Sequence, residues 1–189
     1  EGRLNELDLG RGYWIIDDTL LEKHSDGLAG VSKLWDTKIG SYVLALNVVL
    51  LSWSDGKTKM PVAFVIQTTT EEKKESKIDS AIKLLKYAKA LKLKARYVLF
   101  DSWYASQGMF KAVRKRGWHF IGASRSNRLL SGVPFLQLWR KLAQQRTRRI
   151  TLRSTKGKRT YRARITRGRV RGCVHDVAVV ITKRHRRDL

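Results

Sequence analysis

Apolar runs broken by polar punctuation outline this chain. Tyr13-Trp14-Ile15-Ile16 is a short apolar run that stops at Asp17-Asp18-Thr19, and it predicts a buried strand tipped by acids. Residues 19–38 mix polar side chains with Gly27 and Gly30 and read as a loop beside that tip. Residues 41–53 are almost wholly apolar, as expected of a strand covered on both faces. Ser54-Asp55-Gly56-Lys57 is a hairpin turn, so residues 60–68 return antiparallel. Pro61 falls near the start of that strand, where a missing N–H is tolerated. Across residues 71–93, Ile78, Ala81, Ile82, Leu85 and Ala88 recur at helical spacing. Acids fill the first turns of that helix and lysines its end, which suits the helix dipole. Residues 95–101 form a fourth strand, 106–116 a short helix closed by Gly117, and 118–123 a fifth strand.

The order is strand, strand, strand, helix, strand, helix, strand. The first three strands make an antiparallel meander. A helical crossover then places the fourth strand most simply beside the first and parallel to it. That arrangement brings two strand ends together, and each carries an acid. Alternation puts Trp14, Ile16 and Asp18 on one face and groups Tyr97, Leu99 and Asp101 likewise. Asp18 and Asp101 are therefore expected to face one another across the sheet edge.

After Ser124 the texture changes. Residues 133–145 predict a short helix. Residues 149–153, 160–166 and 176–182 alternate bulky and basic residues between Gly157, Gly168 and Gly172, and predict a small antiparallel sheet. The expected division is a core over 1–125, a basic β-rich insertion over 126–182 and a basic tail over 183–189.

Charge sharpens this division. The 189 residues carry a net charge of +24. Residues 1–124 hold 20 Lys+Arg against 14 Asp+Glu, whereas 125–189 hold 20 against 2. So many like charges in a short span call for a polyanion, and arginine's planar fork suits phosphate oxygens. Arg125, Arg128, Arg146, Arg148, Arg149, Arg153, Lys156, Lys158, Arg159, Arg162, Arg164 and Arg167 are the candidate phosphate contacts, with DNA or RNA the first choice of polyanion. Trp103, Trp139 and Tyr161 are candidates to stack on unpaired bases. For Trp139, packing on the apolar helix face of Leu136, Leu138 and Leu142 is the stronger expectation.

Other classes recede. A single cysteine, Cys173, excludes an internal disulfide and a cysteine-cluster metal site. The longest apolar run is too short to span a bilayer. No membrane partner or small-molecule cofactor is expected, and the compartment is expected to be cytoplasmic. A doubly wound α/β enzyme would need a glycine-rich turn after the first strand, and Asp17-Asp18-Thr19 stands there instead.

Acids on strand ends in a basic chain suit phosphodiester chemistry assisted by hard divalent cations, which prefer carboxylate oxygens. Taken singly, an aspartate at a strand end more often serves local hydrogen bonding. Ile15-Ile16-Asp17-Asp18-Thr19, Val98-Leu99-Phe100-Asp101-Ser102-Trp103-Tyr104 and the element order together resemble bacterial insertion-sequence transposases of the DDE type. The resemblance implies a ribonuclease-H-like α/β core, with strands four and five parallel to strand one and a β-rich insertion after strand five. It selects Asp18, which precedes Thr19, and Asp101 as catalytic and metal-binding residues. Asp17 and Thr19 then serve as supporting neighbours. It further implies two Mg²⁺ or Mn²⁺ ions, hydrolysis at the element's ends, and transfer of the freed 3′-OH into target DNA by a homodimer. The family's third acid, a Glu on a helix after the insertion, has no counterpart here, since no Glu follows Glu75. The expectation is a fragment or an inactive copy, with a non-catalytic nucleic-acid-binding protein as the alternative.

Overall fold

The structure, a computed structural model, describes residues 12–67, 75–91, 93–154 and 157–184. The chain divides into two compact units, Glu1–Ala123 and Ser124–Leu189.

The first unit is a mixed sheet with helices. Its strands are β1 (Tyr13–Glu22), β2 (Ser32–Asp36), β3 (Ser41–Ser54), β4 (Lys59–Gln67), β5 (Tyr97–Phe100) and β6 (His119–Gly122). Its helices are α1 (Lys77–Ala90) and α2 (Gln107–Lys115). The strand order is β2-β3-β1-β5-β6, and β4 also pairs with β3. β1 is antiparallel to β3 and parallel to β5, and β5 is parallel to β6.

The long strand β3 organises this sheet. It buries Val49, Leu51 and Trp53 and takes β1 along one edge and β2 and β4 along the other. The Trp53 indole donates to Lys94 O at 3.2 Å, so even this buried ring satisfies its one donor. The β3–β4 hairpin turns at Gly56, whose φ of 97° is open to glycine at little cost. α1 packs on β3, β4 and α2 through Ala81, Leu84, Leu85 and Ala88.

Two expectations about this unit change. β1 does not end at its acids. It runs on to Glu22, because β3 extends past β5 and keeps pairing with it there. Within the expected loop over 19–38 lie the end of β1 and all of β2. The expected helix over 71–93 is shorter. Ser76 caps it, accepting the Asp79 N–H while the Asp79 carboxylate accepts the Ser76 N–H, so the helix begins at Lys77. The 71–74 part of that expectation lies outside the described residues, as do 1–11.

The second unit holds a two-residue hairpin, β7 (Leu129–Leu130) with β8 (Val133–Pro134), then α3 (Phe135–Lys141). A three-stranded antiparallel sheet follows, ordered β11-β10-β9, from β9 (Arg148–Ser154), β10 (Gly157–Gly168) and β11 (Val177–Arg184). Leu130, Leu138 and Val170 form its small core, with Val177, Val179 and Ile181 of β11 packed against them. The helix expected over 133–145 is cut at both ends, since Val133–Pro134 is taken by the hairpin. Of the expected tail, residues 183 and 184 belong to β11, and 185–189 lie outside the described residues.

Candidate active site

β1 carries Asp18 on the face shared with buried Trp14 and Ile16. Both oxygens of this carboxylate are engaged. The Tyr104 phenol donates to Asp18 Oδ1 at 2.9 Å, and Lys77 Nζ stands 2.6 Å from Asp18 Oδ2. The Asp18 side chain is 21% exposed, so the ion pair is shielded though reachable.

Asp101 arrives by a different route. β5 ends at Phe100, which frees the next residues from the pleat. Asp101 Oδ1 accepts the backbone N–H of Trp103 at 2.8 Å and of Tyr104 at 3.4 Å, closing the turn that leads towards α2. Asp101 itself is exposed. The same turn carries Tyr104 inward, where it is 1% exposed. Burial foremost pushes the Tyr104 phenol well above the usual tyrosine range, and the negative charges of Asp18, Asp101 and Asp17 add to it. One buried phenol therefore feels all three acids.

The expected parity needs correction. Trp14 pairs with Val98 and Ile16 with Phe100, so Asp18 shares its face with Val98 and Phe100, not with Tyr97 and Leu99. Strict alternation would align Asp101 with Asp17. Asp101 approaches Tyr104 only because the strand has already ended. Asp17 Oδ1 accepts the backbone N–H of Asp18 at 3.0 Å, and both Asp17 and Thr19 are exposed.

One participant went unnoticed in the sequence, and a second was only partly read. Lys77 is the first, and its signal was available. It stands at the first position of α1, where a positive charge opposes the helix dipole, so a local acid has to compensate it. Tyr104 is the second: its place after Asp101 marks it as a residue that lines the site or wedges the next helix, but not as the donor to Asp18. Trp103 is 66% exposed, and its ring centroid lies 5.9 Å from Lys77 Nζ.

Among the described residues no group of three or more His, Cys, Asp or Glu is placed to hold a metal ion. The donors at hand are nonetheless hard carboxylate oxygens, the type that Mg²⁺ and Mn²⁺ prefer. A cation, the Lys77 ammonium, already stands at Asp18 Oδ2. The position accepts positive charge, and Asp18 and Asp101 would be the residues to hold a divalent cation there.

The basic candidates divide by placement. Arg125, Arg146, Arg148, Arg149, Arg153, Lys158, Arg159, Arg162 and Arg167 are exposed, and Arg128 is half-buried. Arg149, Arg162 and Lys183 stand in register across β9, β10 and β11, three cations abreast. Arg164 does something else. Its guanidinium donates to Trp139 O at 2.5 Å and Ala143 O at 2.9 Å, and it lies 4.5 Å from the Trp139 ring centroid. It thus ties down the last carbonyls of α3 and the turn beyond. Lys183 Nζ lies 5.2 Å from the same ring, so cations within its own unit already occupy Trp139. Tyr161 is half-buried in β10. Lys156 lies outside the described residues.

A mixed α/β sheet with few helices, and aspartates collected beside its parallel pair, is compatible with a ribonuclease-H-like fold of the DDE kind. A family model described as DDE superfamily endonuclease matches residues 4–164, and the chain belongs to that family. No curated protein matches. Among solved structures, one described as "Structural Study of the Aquifex aeolicus PPX-GPPA enzyme" aligns at 10% identity and a TM-score of 0.27. The alignment covers 89% of this chain and 52% of that one, so the chain spans about half its length, and a score that low carries no argument.

Proposed function

We propose that this chain is the core of a DDE-type transposase, in which Asp18 and Asp101 hold divalent cations at DNA ends. The observation that carries the reading is Tyr104, which touches Asp18 through its phenol and Asp101 through its backbone N–H. Bound there, Mg²⁺ or Mn²⁺, two ions in the full reaction, would supply an activated oxygen nucleophile and a stabilised leaving oxygen. Asp17 and Thr19 would support Asp18 from beside it on β1.

The protein's own part is placement. Exposed arginines and lysines of the second unit would track phosphates along the duplex with little sequence reading. The row Arg149–Arg162–Lys183 supports this, because like charges directly opposite on neighbouring strands are destabilising unless an anion offsets them. Trp103, exposed beside Asp101, is the aromatic best placed to stack on an unpaired base. The reaction would be hydrolysis at the element's ends, then strand transfer into target DNA, carried out by a homodimer on the cell's DNA. This stretch brings two of the family's three acids, so its own turnover should be weak.

A second reading, a basic DNA-binding protein without catalysis, is favoured by one observation. Asp18 is engaged by Lys77, and Asp101 closes its own turn. Nicking of supercoiled plasmid separates the two. The transposase reading expects weak nicking that requires Mg²⁺ or Mn²⁺ and disappears in Asp18→Asn and in Asp101→Asn, with plasmid retention unchanged. Retention without any metal-dependent nicking supports the second reading.

A further inference from the structure

We propose that Lys77 is a displaceable counter-ion for Asp18, holding the carboxylate in a resting state that a divalent cation must break. The proposal rests on Asp18 as a cation ligand and adds a residue that no part of that reading requires.

Each Asp18 oxygen has one partner, the Tyr104 phenol at Oδ1 and the Lys77 ammonium at Oδ2; a lone pair remains on each, but a metal brought there meets the positive charge of Lys77. Tyr104 is the less movable of the two. Its hydroxyl is buried, and a buried donor without an acceptor is costly. Lys77 is free to leave. Its side chain is 33% exposed, and an ammonium on a flexible stem regains water readily. Its backbone, by contrast, is fixed. The Ser76–Asp79 capping box sets the start of α1, so Lys77 presents its amine to Asp18 whenever the helix is formed.

The position is also unfavourable for a lysine unless Asp18 compensates it. The first turn of a helix favours negative charge, and the basic residue of the last turn, Lys89, is where the dipole prefers one. In exchange, Lys77 neutralises a carboxylate that is only 21% exposed while no metal is present. Once displaced, its ammonium remains at the rim beside Trp103, where an incoming phosphate would find it.

The test is Mn²⁺ titration of the full chain, followed by the electron paramagnetic resonance of free Mn²⁺. Lys77→Met should bind Mn²⁺ about fivefold more tightly than wild type, the scale of a partly shielded ion pair. Its metal-free melting temperature should fall, and saturating Mg²⁺ should raise it more than in wild type. A merely structural lysine would lower stability without tightening metal binding. Unchanged or weaker Mn²⁺ binding in Lys77→Met, with binding abolished in Asp18→Asn, overturns the counter-ion and spares the acids. No Mn²⁺ binding by any form overturns both. Should Lys77→Met fail to fold, wild-type tryptophan emission decides the matter. Mg²⁺ should alter it, the change should vanish in Trp103→Phe, and an identical response in both proteins contradicts the proposal.

Discussion

The Tyr104 phenol donates to Asp18 Oδ1 at 2.9 Å, joining residues 86 positions apart in the sequence. This bond ties the turn after β5 to the middle of β1. It makes Tyr104 the residue that orients the Asp18 carboxylate. Tyr104→Phe keeps the ring and its packing while removing the donor. Stability should fall by about 1 kcal/mol, read from urea unfolding. Mn²⁺ affinity should change while the fold, read by circular dichroism, is retained.

Two arginines two positions apart on β10 should behave in opposite ways. Arg162 lies exposed in the cationic row, and Arg164 is bonded to the carbonyls of Trp139 and Ala143. Arg162→Gln should leave stability nearly unchanged and lower the salt slope of DNA binding by about one. Arg164→Met should cost about 1–3 kcal/mol in stability, because the carbonyls that it serves lose their donor. Filter binding across salt concentrations and thermal melts of both variants check this.

The start of α1 should be sensitive to a single atom. Ser76→Ala removes the hydroxyl that accepts the Asp79 N–H and should cost about 1 kcal/mol. The same change should loosen Lys77 from Asp18, so the variant should respond to Mg²⁺ more strongly than its stability loss alone implies. Melting curves with and without Mg²⁺ read both effects.

Acid should weaken the fold partly through Glu75. The hydrogen bond from Lys83 holds this carboxyl below its ordinary value. A carboxyl depressed in the folded state contributes stability above its unfolded pKa, near 4.5, and loses it as pH falls through the folded value. Lys83 is 65% exposed, so solvent screening keeps the contribution small, under about 1 kcal/mol. The stability difference between wild type and Lys83→Met should be present at pH 7 and shrink below pH 4.5. A difference that stays constant across that range would contradict the assignment.

Much of the first unit could be read from the residues themselves. Apolar runs marked β3, β4 and β5, the Ser54–Lys57 turn fixed their direction, and the crossover through α1 put β5 beside β1. What escaped was set by neighbours. Asp17 and Asp18 looked like a strand tip because they are charged, yet pairing with the longer β3 carries β1 past them to Glu22. The partnership of Asp18 with Asp101 rested on adjacent strand ends, which β1 and β5 have, and on alternation, which the register does not support. Instead, a turn after the end of β5 sets Asp101 against the backbone N–H of Tyr104, whose phenol bonds Asp18. In the second unit, nothing in an Arg-rich run distinguishes Arg164 from Arg162. Only the pairing of β10 with β11 sets Arg164 opposite Ile181, a residue packed against the small core.

The account turns on whether Asp18 and Asp101 share a bound cation. Crystals soaked in Mn²⁺ and measured near the manganese absorption edge answer this without reference to activity. The account predicts an anomalous peak in contact with both carboxylates, with the Lys77 ammonium withdrawn from Asp18 Oδ2. A peak that touches neither aspartate, or Asp18 still paired to Lys77 at saturating Mn²⁺, would contradict it.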